Sequence, residues 1–110
     1  MNQEHKPFAI IIQPSNADIL LFVTQLTDQY LDLINYNIVV DLSAQKAISL
    51  HDITLFANLS KAHKKQKKSF VIVVNDINFN KIASKMTVVP TLQEAQDIIE
   101  IEEIERDLGI

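Results

Sequence analysis

Short runs of β-branched, apolar residues recur along the chain, and segments long enough for helices separate them. The clearest runs are FAIIIQ at 8–13, NIVVDL at 37–42 and FVIVV at 70–74, with a shorter run at 86–89. Such runs are typical of buried strands, and parallel strands need long crossover connections. The alternation predicts an α/β domain with a four-stranded, mostly parallel or mixed sheet and helices packed on it. The first strand can lie at an edge, in either direction.

Two of the separating segments show the three- and four-residue apolar spacing of amphipathic helices. The first covers 17–34, and Ser15 or Asn16 is expected to be its N-cap. The second covers 50–65. Its expected inward positions are Ile53, Phe56, Ala57, Leu59 and Ser60.

A third helix is predicted to begin at Thr91, because Thr91-Leu-Gln-Glu94 fits the capping-box pattern. Apolar residues recur every three or four positions between Ile98 and Leu108. This stripe has two interpretations: the helix covers its own sheet, or the stripe packs on a partner helix and makes a homodimer or another oligomer.

Composition indicates one domain spanning residues 1–110. Nearly half of the 110 residues are apolar, and the chain has a single glycine and no cysteine. The absence of cysteine excludes disulfides and thiolate metal sites. No signal-peptide pattern is seen, and no apolar run approaches the roughly 20 residues of a membrane span. We expect a cytoplasmic protein without a membrane segment.

Charge is unevenly distributed along the chain. The net charge of −4 argues against general nucleic-acid binding. Seven acidic residues lie from Glu94 to Asp107, with Arg106 as the one basic residue among them. A basic cluster precedes them at Lys61, Lys64, Lys65, Lys67 and Lys68. The two groups are either solvated helix faces or surfaces that steer a partner.

Most catalytic and cofactor-binding motifs are missing. The one glycine, Gly109, excludes glycine-rich phosphate loops and the nucleophile elbow. The histidines lack metal-ligand spacing, and His51-Asp52 offers only two ligands. Asp41 ends a strand like the phosphoacceptor of a receiver domain, but FAIIIQPS lacks the acidic pair that such a site needs. Asp41 is instead expected to accept hydrogen bonds from backbone N–H groups of the following turn. No catalytic residue, metal or cofactor is predicted.

Ser49, His51 and Asp52 stand close together at the start of a predicted helix. A catalytic triad is not expected, because near neighbours at a helix start point in different directions. Ser49-Leu-His-Asp52 also fits a capping pattern, and Asp52 suits the positive end of the helix dipole. Ser49 is therefore a helix cap or, alternatively, a regulatory residue.

Several stretches, in their order, resemble the STAS domain, the fold of bacterial anti-sigma factor antagonists. NIVVDLS at 37–43 is similar to a family strand that ends in D-L-S, and PTLQEA at 90–95 is similar to the start of the family's last helix. The resemblance covers about residues 37–100. The family usually begins with two strands, whereas one clear strand is found here.

The regulatory motif of that family is altered in this chain. Family members carry D-S-S-G-L eight residues after the strand's aspartate, and a kinase that is also their partner phosphorylates a serine there. The alignment places Ser49 at the aspartate, Leu50 and His51 at the two serines, and Asp52 at the glycine. Ser49 can be the phosphoacceptor only if the register shifts, and Asp52 is a candidate fixed negative charge.

The resemblance implies a non-enzymatic protein-interaction module that the usual serine phosphorylation does not switch. The implied partner is an ATPase-fold kinase, an anti-sigma factor or a sigma regulator. Alternatives are an oligomerisation domain that uses the C-terminal helix and a domain that binds a small ligand or nucleotide. The predicted partner-binding residues are Ser49, Leu50, His51, Asp52 and Leu55.

Overall fold

The computed structural model, which describes residues 1–83 and 85–109, is an α/β structure built on one mixed sheet. The spatial order of its strands is their order in the sequence, and all neighbouring pairs are parallel except the first. The strands are β1 (Asn2–His5), β2 (Ile10–Gln13), β3 (Ile38–Asp41), β4 (Phe70–Val73) and β5 (Thr87–Val89). The predicted fold class is confirmed, but the predicted count of four strands is wrong.

The additional strand is β1, which pairs antiparallel with β2 in a register that joins Asn2 to Gln13 and His5 to Ile10. A tight turn connects the two strands, with hydrogen bonds in both directions between the backbones of Lys6 and Ala9. The first predicted strand therefore lies inside the sheet and not at its edge. All four residues of β1 are exposed, so the strand has no apolar alternation by which the sequence could reveal it.

In the described part of the chain, four α-helices and one turn of 3-10 helix at Phe79–Lys81 lie between the strands, and a fifth α-helix follows the last strand. The helices are α1 (Ile19–Asp28), α2 (Tyr30–Leu33), α3 (Leu50–Thr54), α4 (Ala57–Lys65) and α5 (Leu92–Asp107). The predicted single helices at 17–34 and 50–65 are each interrupted, the second by the turn Leu55–Phe56.

The helix starts follow the predicted capping chemistry only in part. Asp18 caps α1, because its carboxylate accepts from the N–H of Leu21 at 3.0 Å. The predicted caps Ser15 and Asn16 are wrong, although the Asn16 side chain accepts from the Asp18 N–H. Thr91 caps α5 as predicted. Of its capping box, the described residues show only the half that the Thr91 hydroxyl makes.

The order of the parallel strands decides where the helices lie. Right-handed crossovers between strands that advance in one direction all fall on the same face of a sheet. Accordingly α1, α2, α3 and α4 share one core with the first face, and α5 folds back over the second face. The residues of the strands and of the positions next to them that face the first core are Ile10, Ile12, Ile38, Val40, Leu42, Phe70, Ile72 and Val74. Those that face the second core are Ala9, Ile11, Val39, Val71, Val73 and Val89.

Burial along the second predicted helix differs from the prediction at two positions. Ala57 is exposed, although it was expected to face inward, and His63 is fully buried. The other inward predictions are confirmed for Ile53, Phe56, Leu59 and Ser60.

A polar network fixes the C-terminal half of α5 at the amino ends of β3 and β4. Asn37 donates to Glu103 and accepts from the Ser69 N–H at 2.9 Å. The Ser69 hydroxyl donates to Glu102 at 2.6 Å and accepts from the Arg106 guanidinium at 3.2 Å. In this half of α5, polar bonds and not apolar side chains hold the helix against the sheet.

The apolar residues of α5 divide between the core and the solvent. Ala95 and Ile99 are fully buried on the second face, whereas Ile101 and Ile104 are 57% and 58% exposed and Leu108 is 69% exposed. The interpretation that the whole stripe covers its own sheet is therefore wrong for these last three residues. None of the described helices is long and apolar enough to cross a membrane.

The two isoleucines on opposite faces of α5 should respond very differently to truncation. Ile99→Ala is expected to lower the free energy of unfolding by about 2–5 kcal/mol, because it leaves a cavity in the second core. Ile101→Ala is the matched control and should change it by less than about 0.5 kcal/mol. Urea denaturation measures both. Equal losses would show that the rotation of α5 is wrong.

Candidate functional site

The candidate site lies where the parallel strands end. Residues 42–49 leave β3 at this carboxyl edge and lead to α3. Open α/β sheets present their binding surfaces at the carboxyl ends of their strands. The predicted partner-binding residues 49–52 come directly after this loop, at the carboxyl edge of the sheet.

Asp41 anchors the beginning of the loop. Its carboxylate accepts from the Gln13 side chain and from the backbone N–H of Ser43, both at 3.0 Å, and only 8% of the residue is exposed. The predicted bond to the following turn is confirmed. Gln13 was not predicted as a partner, because 28 residues of sequence separate the two side chains.

Asn75 joins this loop to the one that follows β4. Its side-chain amide donates to the Ser43 carbonyl at 3.2 Å. Gln13, Asp41, Ser43 and Asn75 thus form a hydrogen-bonded row across the ends of three neighbouring strands. The row fixes the direction in which the loop leaves the sheet.

The start of α3 is held by a complete capping box. The Ser49 hydroxyl accepts from the Asp52 N–H at 3.1 Å, and the Asp52 carboxylate accepts from the Ser49 N–H at 2.9 Å. The capping prediction for Ser49 is confirmed. Asp52 lies in the first turn of the helix, as predicted, and its carboxylate is engaged in the cap.

The predicted site residues differ in exposure. Ser49 and His51 are exposed, and Leu50, Asp52 and Leu55 are half-buried. Leu55 packs against the core of the first face. The accessible part of the predicted surface is therefore the end of the loop and the first turn of α3, with Leu50 between two exposed polar side chains.

A cavity of about 360 Å³ lies beside Asp41 on the second face. Gln13, Asp41 and Leu92 line it together with residues of β1. Among the described residues, no three His, Cys, Asp or Glu side chains are grouped so that they could hold a metal ion. The cavity thus offers polar contacts from amide and carboxylate groups.

His63 is a buried polar residue that the sequence analysis missed. Its Nε2 lies 2.6 Å from the Tyr36 carbonyl, and its Nδ1 lies 2.7 Å from the Tyr30 hydroxyl. Because a carbonyl only accepts, Nε2 carries the proton and Nδ1 accepts from Tyr30. Its spacing of three and four residues after the inward positions Ser60 and Leu59 is the signal that could have revealed it.

Burial is the main reason why the pKa of His63 is lowered from its ordinary value of 6.5. The positive charges of Lys68 and Arg106 lower this pKa further, and the bond to the Tyr36 carbonyl opposes the shift. Burial also raises the pKa of the Tyr30 hydroxyl. The pair is therefore neutral and joins α2 to α4 as a structural contact.

No protein-family model matches the chain, and no curated protein matches it at a significant level. The functional argument therefore depends on the fold and on the geometry of this site.

Removal of the cap should destabilise the protein without disturbing its core. Ser49→Ala is expected to lower the free energy of unfolding by about 1 kcal/mol, because the Asp52 N–H loses its acceptor. Ser49→Thr keeps an uncharged capping hydroxyl and is the matched control, which should retain most of the stability. Thermal and urea denaturation test both variants. A fully stable Ser49→Ala protein would show that the capping box contributes nothing.

The buried histidine should make stability depend on pH. Its folded pKa is lowered, so the unfolded chain binds a proton more readily and the free energy of unfolding falls as the pH drops below about 6.5. Above that pH the contribution of His63 to the free energy of unfolding no longer changes with pH. Urea denaturation between about pH 5 and 7.5 should show a weaker pH dependence for His63→Gln than for the wild type.

The matched control is His51→Gln, because His51 is exposed. It should keep the pH dependence of the wild type. Equal slopes in all three proteins would contradict the assignment of a neutral, buried His63.

Proposed function

We propose that the chain is a non-enzymatic protein-interaction module, similar to an anti-sigma factor antagonist, that binds its partner through the first turn of α3. The observation that carries this proposal is a helix start that is both exposed and held in place. The Ser49–Asp52 box fixes the turn, and the row from Gln13 to Asn75 fixes the loop before it. A surface that is already ordered loses little entropy on binding.

The order of elements supports the resemblance to STAS domains. β1 adds a second strand before the first helix, and that family usually begins with two strands. The segment from β3 to α5 has the order strand, two helices (α3 and α4), strand, short helix, strand and last helix, which matches the family order if α3 and α4 together correspond to the single helix. By the same resemblance, we propose a cytoplasmic location and an ATPase-fold kinase, an anti-sigma factor or a sigma regulator as the partner.

The chemistry of the surface suits a protein partner. Leu50 is half-buried and lies between the exposed residues Ser49 and His51. An apolar side chain surrounded by polar groups is the arrangement found in the energetic centres of protein interfaces. Leu55, one turn further along, supports the turn from the core side.

We also propose that serine phosphorylation does not switch this module. The positions that match the family's two serines hold Leu50 and His51. Ser49 is exposed, but its N–H is bonded to the Asp52 carboxylate. A phosphate on Ser49 would place a second negative charge beside that carboxylate, and like charges repel. Constitutive binding fits this arrangement better than a phosphorylation cycle.

The test is affinity purification of the tagged protein from its own cells, with mass spectrometry of the captured proteins. The double variant Leu50→Ala, His51→Ala should lose a partner that the wild type captures, and alanine does not create the serine pair of the family. A contact residue worth about 2 kcal/mol of binding free energy weakens binding roughly 30-fold when it is removed. Leu31→Ala, at a leucine that is 82% exposed on α2, is the matched control and should keep the partner.

Both variants must first melt near the wild-type temperature. A partner that binds the double variant and the wild type equally would place the interface elsewhere. Phosphate found on Ser49 in cells, together with partner loss in Ser49→Asp, would contradict constitutive binding.

A second candidate function is assembly through the C-terminal helix. The exposure of Ile101, Ile104 and Leu108 favours it, because three large apolar side chains in one row are left in solvent. This surface is separate from the start of α3, so the two functions do not compete for residues.

A further inference from the structure

Three exposed apolar residues form a row on the solvent face of α5, and we call Ile101, Ile104 and Leu108 the α5 stripe. Their spacing of three and four residues places them on one side of the helix, opposite the buried Ala95 and Ile99. The stripe is held away from the sheet by the same network that anchors this end of the helix.

The surroundings of the α5 stripe are acidic. Asp97 and Glu100 are exposed and lie four residues before Ile101 and Ile104, respectively. Arg106, the one cation of this helix, points toward Ser69 and Asn37 at the sheet. A partner surface for the stripe therefore needs apolar contacts and positive charge.

A surface with these properties exists on the same molecule. A cavity of about 720 Å³ lies between α4 and the segment that leads to β5, and its lining is mainly apolar. We call it the lysine groove. Apart from lysines, its lining residues are Thr54 at the end of α3, Ala57, Asn58, Ser60, Ala83 and Met86.

Lysines form the rim of this groove. Lys61, Lys65 and Lys85 are exposed there. The Lys64 ammonium donates to the Lys85 carbonyl and, at 3.4 Å, to the Thr87 hydroxyl, so it joins α4 to the opposite wall. The groove is thus a preformed apolar trough with positive charge along its edges.

We propose that the α5 stripe of one copy of the chain docks in the lysine groove of a second copy. The stripe supplies an apolar helix face with acidic flanks, and the groove supplies an apolar floor with basic rims. Helices bind grooves in this way in many complexes, and complementary charge fixes the partner and its orientation. This inference deepens the second candidate function and does not depend on the surface at α3.

The two surfaces lie on opposite sides of the sheet. The lysine groove belongs to the side of α4, whereas the α5 stripe is on the outside of the helix that covers the second face. Each copy can therefore bind one neighbour through its α5 stripe and a different neighbour through its lysine groove. Such a contact joins molecules head to tail and can continue into chains of several copies.

The test uses two variants, each of which loses one surface. The groove variant, Lys61→Glu with Lys65→Glu, keeps its stripe, and the stripe variant, Ile101→Ser with Ile104→Ser, keeps its groove. Sedimentation velocity follows the mass of each from micromolar to millimolar concentration. The wild type should associate with increasing concentration, and each variant alone should stay at the 12.5 kDa of one chain.

An equimolar mixture of the two variants retains one working contact. It should form a one-to-one complex of twice the monomer mass and nothing larger. Affinity should fall about tenfold or more when high salt screens the charges or when Asp97→Asn and Glu100→Gln, which remove the acidic flanks without adding positive charge, are added to the groove variant. If assembly instead joined the α5 stripes of two copies to each other, the groove variant would still form dimers by itself.

Controls carry the same chemical changes at other places. Lys46→Glu makes the same charge reversal at an exposed lysine outside both surfaces, and Leu20→Ser with Leu31→Ser matches the loss of exposed apolar area. Both should assemble as the wild type does. A monomeric wild type, a variant that assembles alone, or a mixture that stays monomeric would each overturn the proposal. Leu50→Ala with His51→Ala should leave assembly unchanged, so loss of partner binding at α3 and loss of assembly are measured separately.

Discussion

The handedness of crossover connections is the constraint on which the rest of the molecule depends. Strands β2 to β5 advance in one direction across the sheet, so connections of one hand must all lie on the first face. Four helices therefore crowd that face, and the last helix alone is available for the second. The polar row of the candidate site follows from the same arrangement, because Asp41 and Asn75 leave adjacent parallel strands at one edge.

Elements that are buried in the core could be recognised in the sequence from their apolar residues. An element that is held only by backbone pairing could not. The β3 and β4 strands are apolar on both sides because each contacts a core on each face, and their runs were recognised for that reason. β1 is held by its backbone bonds to β2, which leave no trace in NQEH at 2–5. Asp18 replaced the expected caps because the first turn of α1 starts later than its apolar spacing indicates.

The candidate site shows the same division. The Ser49–Asp52 box is local, within three residues, so its pattern was sufficient to predict it. The contact between Gln13 and Asp41 joins residues 28 apart, and the pairing of His63 with Tyr30 joins residues 33 apart. Contacts of this kind depend on the strand order, which no local pattern contains. His63 was also hidden by the lysines around it, which indicate a solvated face.

The two proposed surfaces occupy places that the fold leaves free for different reasons. The first turn of α3 is at the carboxyl edge, where the loop must leave the sheet and stay accessible. The α5 stripe is exposed because Ser69 and Arg106 fix that end of the helix by polar bonds, so its outer isoleucines are not needed for the core. The lysine groove reaches Thr54 at the end of α3 but is not lined by Leu50 or His51, so a copy that is joined head to tail would still present these two residues to a partner. Assembly would then repeat the binding surface along the chain of copies, and repeated surfaces raise the apparent affinity for a partner that is itself multivalent.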